Sequence, residues 1–369
     1  MEAIGRIAAV LAGSGISLWV IFSAIRTVVL PRAEPVLLTR WIFVTLRQVF
    51  EVLMKPAKTY EQRDRALAMY APLGLVALPV VWVTVVTAGF TAINWGLGVD
   101  PLRNAFFLSG SSLFTLGFDV PRDLPTHVAA FIEATLGLGL IALLISYLPS
   151  IYGAFQRREL EVTRLTTRAG TPPSAIVTIR RHHLLARLDA LDEMWDDWER
   201  WFADIEETHT SQPALVFFRS PTHDRSWITS AGSVLDAAAF RAAVLNLPQN
   251  ARAQLCLRAG YLCLRRIADY FGLPYDPDPQ PDDPISIDRS EFDAAYDELA
   301  NSGVPVRPHR DQCWADFRGW RVNYDRPLIA LCGLTAAPYA PWSSDRSLAY
   351  RRPPLTWRGV RSASGGYGR

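Results

Sequence analysis

Residues 111–121 read SSLFTLGFDVP. The stretch is too apolar for an ordinary surface loop, yet between Thr115 and Asp119 it carries a Thr, a Gly and an Asp. It lies between two long apolar runs. Residues 66–95 hold no charge, and residues 128–155 hold one, Glu133. A third run, 7–30, holds only Arg26. A helix needs roughly 20 apolar residues to cross a bilayer core, so each run predicts a spanning helix. The first run is too long for the apolar core of a signal peptide and shows no clear small-residue cleavage site, which favours an uncleaved helix.

Between the second and third runs the chain must leave the membrane and return. Asp100-Pro101 reads as a helix start, with Asp100 as the cap and Pro101 where no N–H is needed. Residues 102–114 then predict a mostly apolar helix of about three turns, too short to span. It would end at a depth where non-helical backbone is tolerated only if buried in protein or facing a wet cavity. Thr115, Leu116, Gly117, Phe118 and Asp119 would be that backbone.

Helix, short re-entrant helix, T-x-G-F and helix is an order similar to that of the tetrameric potassium channels. NAFFLSGSSLFTLGFD, residues 104–119, resembles their pore-helix-and-filter stretch, which usually closes T-V-G-Y-G-D. The nearest likeness is to bacterial potassium-channel-like proteins with two pore-forming helices, over about residues 66–158. The resemblance implies a homotetramer in which the carbonyls of Thr115, Leu116, Gly117 and Phe118 replace a cation's water shell. Gly117 would supply the positive φ that such a backbone needs. Potassium ions would occupy the filter, with no other cofactor. The departure falls at Asp119, which follows the aromatic directly. Either it occupies the place of the family's second glycine, or one residue is deleted and it keeps the acidic position behind the filter. Strict potassium selectivity is therefore open, and a weakly selective monovalent cation channel is the alternative.

Other residues take roles from position. Glu133 is the only acid in the spanning runs. It either braces the pore helix through Ser109, Ser111 or Ser112 or snorkels to the outer interface. Ser112 and Glu133 are accordingly the candidate pore supports. Gly137, Gly139 and Pro149 are candidate gating hinges, since glycine and proline permit bends. GLGLIA at 137–142 fits a dinucleotide motif by letters alone, but that motif must follow a strand in a soluble unit.

Arginine and lysine placement sets topology. Residues 31–65 hold Arg32, Arg40, Arg47, Lys55, Lys58, Arg63 and Arg65, and the third run is followed by Arg157, Arg158, Arg164 and Arg168. Both clusters belong inside. The connector between runs two and three holds only Arg103 and Arg122 and belongs outside. This predicts a multi-pass protein of the cell (inner) membrane, N-terminus out, C-terminal half cytoplasmic. In the first connector Ile42, Leu46, Val49, Phe50 and Leu53 form one helical stripe opposite Arg40, Arg47, Glu51 and Lys55. Such a helix either lies on membrane lipid or packs on the soluble half.

The formal net charge of +2 is too small to suggest a nucleic-acid partner, and no Lys/Arg-rich run appears. The second half reads as helical. Leu184, Leu188, Leu191, Trp195, Trp198 and Phe202 recur at helical spacing among Asp189, Asp192, Glu193, Asp196 and Asp197, a solvated acidic face rather than a divalent-cation sensor. Residues 273–284, LPYDPDPQPDDP, read as a solvated acidic loop, and Ser290 with Asp293 as a capping box opening the next helix. Cys256, Cys263, Cys313 and Cys332 form no C-x-x-C pair, and His182, His183, His209 and His223 adjoin no nucleophile. No catalytic or metal site is expected, and no enzyme.

The expected fold is an all-α membrane protein. It has a first transmembrane helix (1–31), a connector with an interfacial helix (32–65), a pore domain (66–158), a helical cytoplasmic domain (159–335) and a disordered tail (336–369). The expected function is a cation channel; the competing reading is a non-conducting, pore-like membrane scaffold or sensor acting through its cytoplasmic half.

Overall fold

The computed structural model describes residues 2–28, 37–249 and 251–347. All regular elements among them are helices; the single β contact is an isolated bridge between Leu245 and Val306. Three segments are long and apolar enough to cross a membrane: Glu2–Val28, Tyr60–Gly96 and Leu124–Ala169. The described residues form two compact units. One comprises those up to Gln156 together with Ser211–Phe218; the other comprises Arg157–Thr210 and those from Arg219 onward.

In the first unit, α1 (Glu2–Val28) packs along α4 (Tyr70–Gly96). The seam is made of small residues: a Cβ at Gly13 would collide with the Gly89 carbonyl, one at Gly89 with Ser17 Oγ, and one at Gly96 with the Arg6 carbonyl. Small residues let membrane helices approach where apolar burial gives no advantage over lipid. α2 (Leu37–Leu53) docks on α4 through Phe43 and Phe50, whose rings meet Tyr70 edge-on, both at 5.9 Å. A short α3 (Tyr60–Ala68), capped by Thr59, leads into α4. The apolar run that begins at Ala66 is therefore divided by a turn at Met69, whose N–H reaches the carbonyls of Ala66 and Leu67.

α5 (Leu102–Leu113) follows, with Pro101 at its N-cap. The expected Asp100 cap is not made: the Asp100 carboxylate instead takes Arg6 Nη2 at 2.8 Å. α6 (Leu124–Ala169) is a single helix of 46 residues, and the division between the units falls within it at Gln156/Arg157, close to the expected boundary at 158/159. Ser211–Phe218, expected in the soluble half, belongs to the first unit: Phe217 meets Tyr70 at 5.5 Å and Phe218 meets Phe155 at 5.5 Å.

The second unit surrounds α9 (Trp227–Ala243), which is buried along nearly its whole length. Around it lie α7 (Ala175–Leu184), α10 (Ala251–Phe271), α12 (Arg310–Arg321) and α13 (Asp325–Thr335), with α8 (Leu191–Ser211) and α11 (Arg289–Asn301) completing the shell. Leu184 and Leu188 do not extend α8, because the chain breaks at Ala186 with φ 53°. Leu191, Trp195, Trp198 and Phe202 do form its buried face. The cap of α11 is Asp288 rather than Ser290: Asp288 Oδ1 accepts from Glu291 N while Glu291 Oε2 accepts from Asp288 N, both at 3.0 Å. The expected disorder from 336 is corrected for residues 336–347. Ala340 and Ser343 are buried, and the Trp342 ring stacks on Phe240 at 5.8 Å. The rest of that tail, 348–369, and residues 29–36, where the first run meets the connector, lie outside the described residues.

His209 and Arg158 form one buried pair in this unit, with Arg158 Nη1 donating to His209 Nε2 at 3.2 Å. Thr208 Oγ1 donates to the Asp204 carbonyl and so accepts from His209 Nδ1 at 3.0 Å. The network assigns a neutral imidazole protonated on Nδ1. Burial first, then the Arg158 charge, holds its pKa well below the usual 6.5. The unfolded chain therefore binds a proton below about pH 6.5 that the folded chain refuses, and stability falls by about 1.4 kcal/mol per pH unit below that point. Thermal melts at pH 7.5 and 5.5 should show His209→Asn losing less stability on acidification than the parent; equal losses would refute the assignment.

Candidate functional site

The quoted stretch begins inside α5. Its start lies beside the end of α4, and it runs back along α4 until Ser109 Oγ reaches the Thr87 carbonyl at 3.1 Å. The same hydroxyl donates to Glu133 Oε1 at 2.5 Å. Thr87 is nine residues before the end of α4, and Glu133 is nine residues into α6. At about 1.5 Å per residue, Ser109 sits ~14 Å along both helices from their facing ends. Farther on, α6 approaches so closely that a Cβ at Gly137 would collide with the Leu113 carbonyl. That places the end of α5 ~20 Å along α6.

From there the chain turns back. Thr115 N donates to Ser112 O at 3.1 Å and Leu116 N to Ser111 O at 2.8 Å, closing the end of α5. The carbonyls of Thr115, Leu116, Gly117 and Phe118 accept no hydrogen bond among the described residues, and the amides of Gly117 and Phe118 donate none. Phe114, Leu116 and Phe118 are all at least half exposed. Left-handed backbone falls at alternate positions, Thr115 at φ 54° and Gly117 at φ 72°. For a β-branched residue that conformation is a true outlier, held only because its surroundings impose it.

The loop's far end is fastened by Ser111, whose hydroxyl accepts from Asp119 N and donates to Asp119 O, both at 3.1 Å. Asp119 is not left-handed, so the glycine-like role is not what its backbone adopts here. The sequence offered Ser111 as one of three serines that could brace Glu133; its hydroxyl instead ties the returning chain at Asp119.

The remaining candidates are dispersed. Ser112 donates to Leu108 O of its own helix at 2.8 Å and does not reach Glu133. Glu133 is fully buried, with Oε2 unpartnered. Gly137 is a close-packing point, nothing lies within 4 Å of a Cβ at Gly139, and Pro149 sits inside α6. The four cysteines are free and buried, and no group of three His, Cys, Asp or Glu among the described residues is placed to hold a metal. No protein-family profile, curated protein or solved structure matches the chain.

Proposed function

We propose that four copies of this chain surround a path for monovalent cations, lined by the carbonyls of Thr115, Leu116, Gly117 and Phe118. One observation carries the reading: four consecutive carbonyls that accept no hydrogen bond among the described residues, directly after a short helix that ends ~20 Å along the membrane-length α6. Backbone at bilayer depth needs partners, and a dehydrated cation supplies them where protein does not. One loop cannot enclose an ion, and rotational symmetry about the loop can. α5 is then a re-entrant pore helix whose negative dipole end favours a cation. Ser109 and Glu133 hold its mid-point, Gly137 sets its depth, and Gly139 and Pro149 are the places where α6 bends for gating. The arginine and lysine clusters orient the chain with its N-terminus outside and the second unit cytoplasmic, in the cell membrane.

Purified protein in liposomes should pass potassium, and native mass spectrometry should give four copies. A stable monomer sinks the reading; four copies without flux favour the non-conducting scaffold. Four Asp119 carboxylates would flank the outer mouth. At about 7 Å in water each attracts a monovalent cation by roughly 0.6 kcal/mol, so four give about 2 kcal/mol before screening. Asp119→Asn is expected to reduce low-salt current severalfold while leaving the potassium-to-sodium ratio unchanged, as read from bilayer currents. A changed ratio with intact low-salt current would make Asp119 a structural brace instead.

A further inference from the structure

We propose that α2 and the turn into α3 form a binding surface for anionic phospholipid headgroups at the bilayer boundary. The inference rests on α1 and α4 crossing a membrane and is independent of conduction. α2 starts where α1 ends: Thr27 Oγ1 and Thr39 Oγ1 lie 2.9 Å apart. It also packs against the first turn of α4, where Tyr70 OH donates to the Phe43 carbonyl at 3.1 Å. A helix tied to the ends of two spans lies at the level where both leave the bilayer.

α2 is apolar on two sides. Ile42, Phe43 and Phe50 face the α4 side and are covered by it. Leu37, Trp41, Val49, Val52 and Leu53 remain exposed, Trp41 by 71%. A soluble helix has no reason to keep five large apolar side chains uncovered, whereas an interfacial helix sinks such a stripe into the acyl boundary, with Trp at headgroup level. Charge then selects the occupant. Lys55, Lys58, Arg63 and Arg65 follow the stripe and are all exposed, while the exposed acid nearby is Glu61; Glu51 is held by Arg47 at 3.3 Å. An uncharged protein partner would have no use for these cations, and a phosphate-bearing leaflet would. Against these four cations stand Glu61 and the buried Asp64; each cation in excess at an anionic leaflet raises partitioning roughly fivefold, so two in excess give about twenty-five-fold.

The test uses full-length protein carrying Val52→Cys labelled with an environment-sensitive fluorophore, the native cysteines being buried. It is reconstituted in phosphatidylcholine vesicles with and without phosphatidylglycerol. Nitroxides on lipid tails are expected to quench the label several-fold more than aqueous iodide does. Native mass spectrometry should show phosphatidylglycerol retained in preference to phosphatidylcholine, and Lys55→Gln/Lys58→Gln/Arg63→Gln should cut that preference at least tenfold while the label stays quenched by lipid. Iodide-dominated quenching would overturn the proposal. So would a label reached by neither quencher, which means a protein or a second copy covers α2. Equal retention of the two lipids overturns it as well.

Discussion

Replacing Arg321 by methionine is expected to destabilise the second unit by about 3–5 kcal/mol. Arg321 is completely buried. Its Nη1 donates to Asp236 Oδ1 at 2.6 Å, its Nε to Asp325 Oδ1 at 2.8 Å, and its Nη2 to the Trp342 carbonyl at 2.6 Å. Tyr324 OH and Ser286 Oγ complete the carboxylates, reaching Asp236 Oδ1 at 2.8 Å and Asp325 Oδ1 at 2.6 Å. Burial alone would lower the guanidinium pKa, but the two aspartates outweigh it and raise it, so the side chain stays charged at every accessible pH. Methionine fills the volume but leaves two buried carboxylates without their counter-charge and the Trp342 carbonyl without its Arg321 donor. In the full chain the thermal midpoint of the second unit should fall by roughly 10 °C. The comparison is Arg200→Gln, which removes an exposed pair with Asp197 at 2.8 Å and should move it by about 1–2 °C at most. Equal shifts would show that the buried network contributes nothing to stability. Replacing Arg321, Asp236 and Asp325 together by apolar residues should recover much of the loss, because the penalty comes from unpaired charge.

What was legible in the sequence follows interaction range. The membrane-length helices were readable because 24 to 30 consecutive residues hold at most one charge each, and no tertiary contact is needed to see that. α5 was readable from Asp100-Pro101 and its length. The errors lie where a distant partner decides. Asp100 precedes the N-cap, which is Pro101, and its carboxylate meets Arg6, 94 residues away. Ser290 and Asp288 both open plausible capping boxes, and Asp288 prevails because Glu291 reaches back to its amide. Leu184 keeps helical spacing with Leu188 across a chain break at Ala186 that no propensity flags. Residues 211–218 form too short an apolar run to assign, and their place is set by the rings of Tyr70, Tyr152 and Phe155. Pro- and Ser-rich composition made 336–347 look disordered, but a buried guanidinium needs an acceptor and the Trp342 carbonyl is that acceptor. At the candidate site the motif was visible, while the Ser111 latch and the left-handed Thr115 depend on the chain doubling back.

On the proposed channel reading, replacing Gly117 by alanine is expected to lower potassium flux at least a hundredfold without dissociating the proposed four-copy assembly. Nothing lies within 4 Å of a Cβ built on Gly117, so within one copy the cost is conformational rather than steric. At φ 72° an alanine loses roughly 1–2 kcal/mol relative to the right-handed region. In the proposed ring of four copies the conducting arrangement would lose about 4–8 kcal/mol, and its population would fall by about a thousandfold or more. Thr115 supplies the contrast. It is left-handed at φ 54° and β-branched, so Thr115→Gly relieves backbone strain while removing a side chain. If carbonyl direction governs conduction, Thr115→Gly keeps substantial flux and Gly117→Ala does not. If side chains line the path, the order reverses. Potassium efflux from liposomes, with copy number checked by native mass spectrometry on the same preparations, separates the two. Wild-type flux through Gly117→Ala would mean that the carbonyls of residues 115–118 are not the conduction path, and the four unpartnered groups would then need another partner within the membrane.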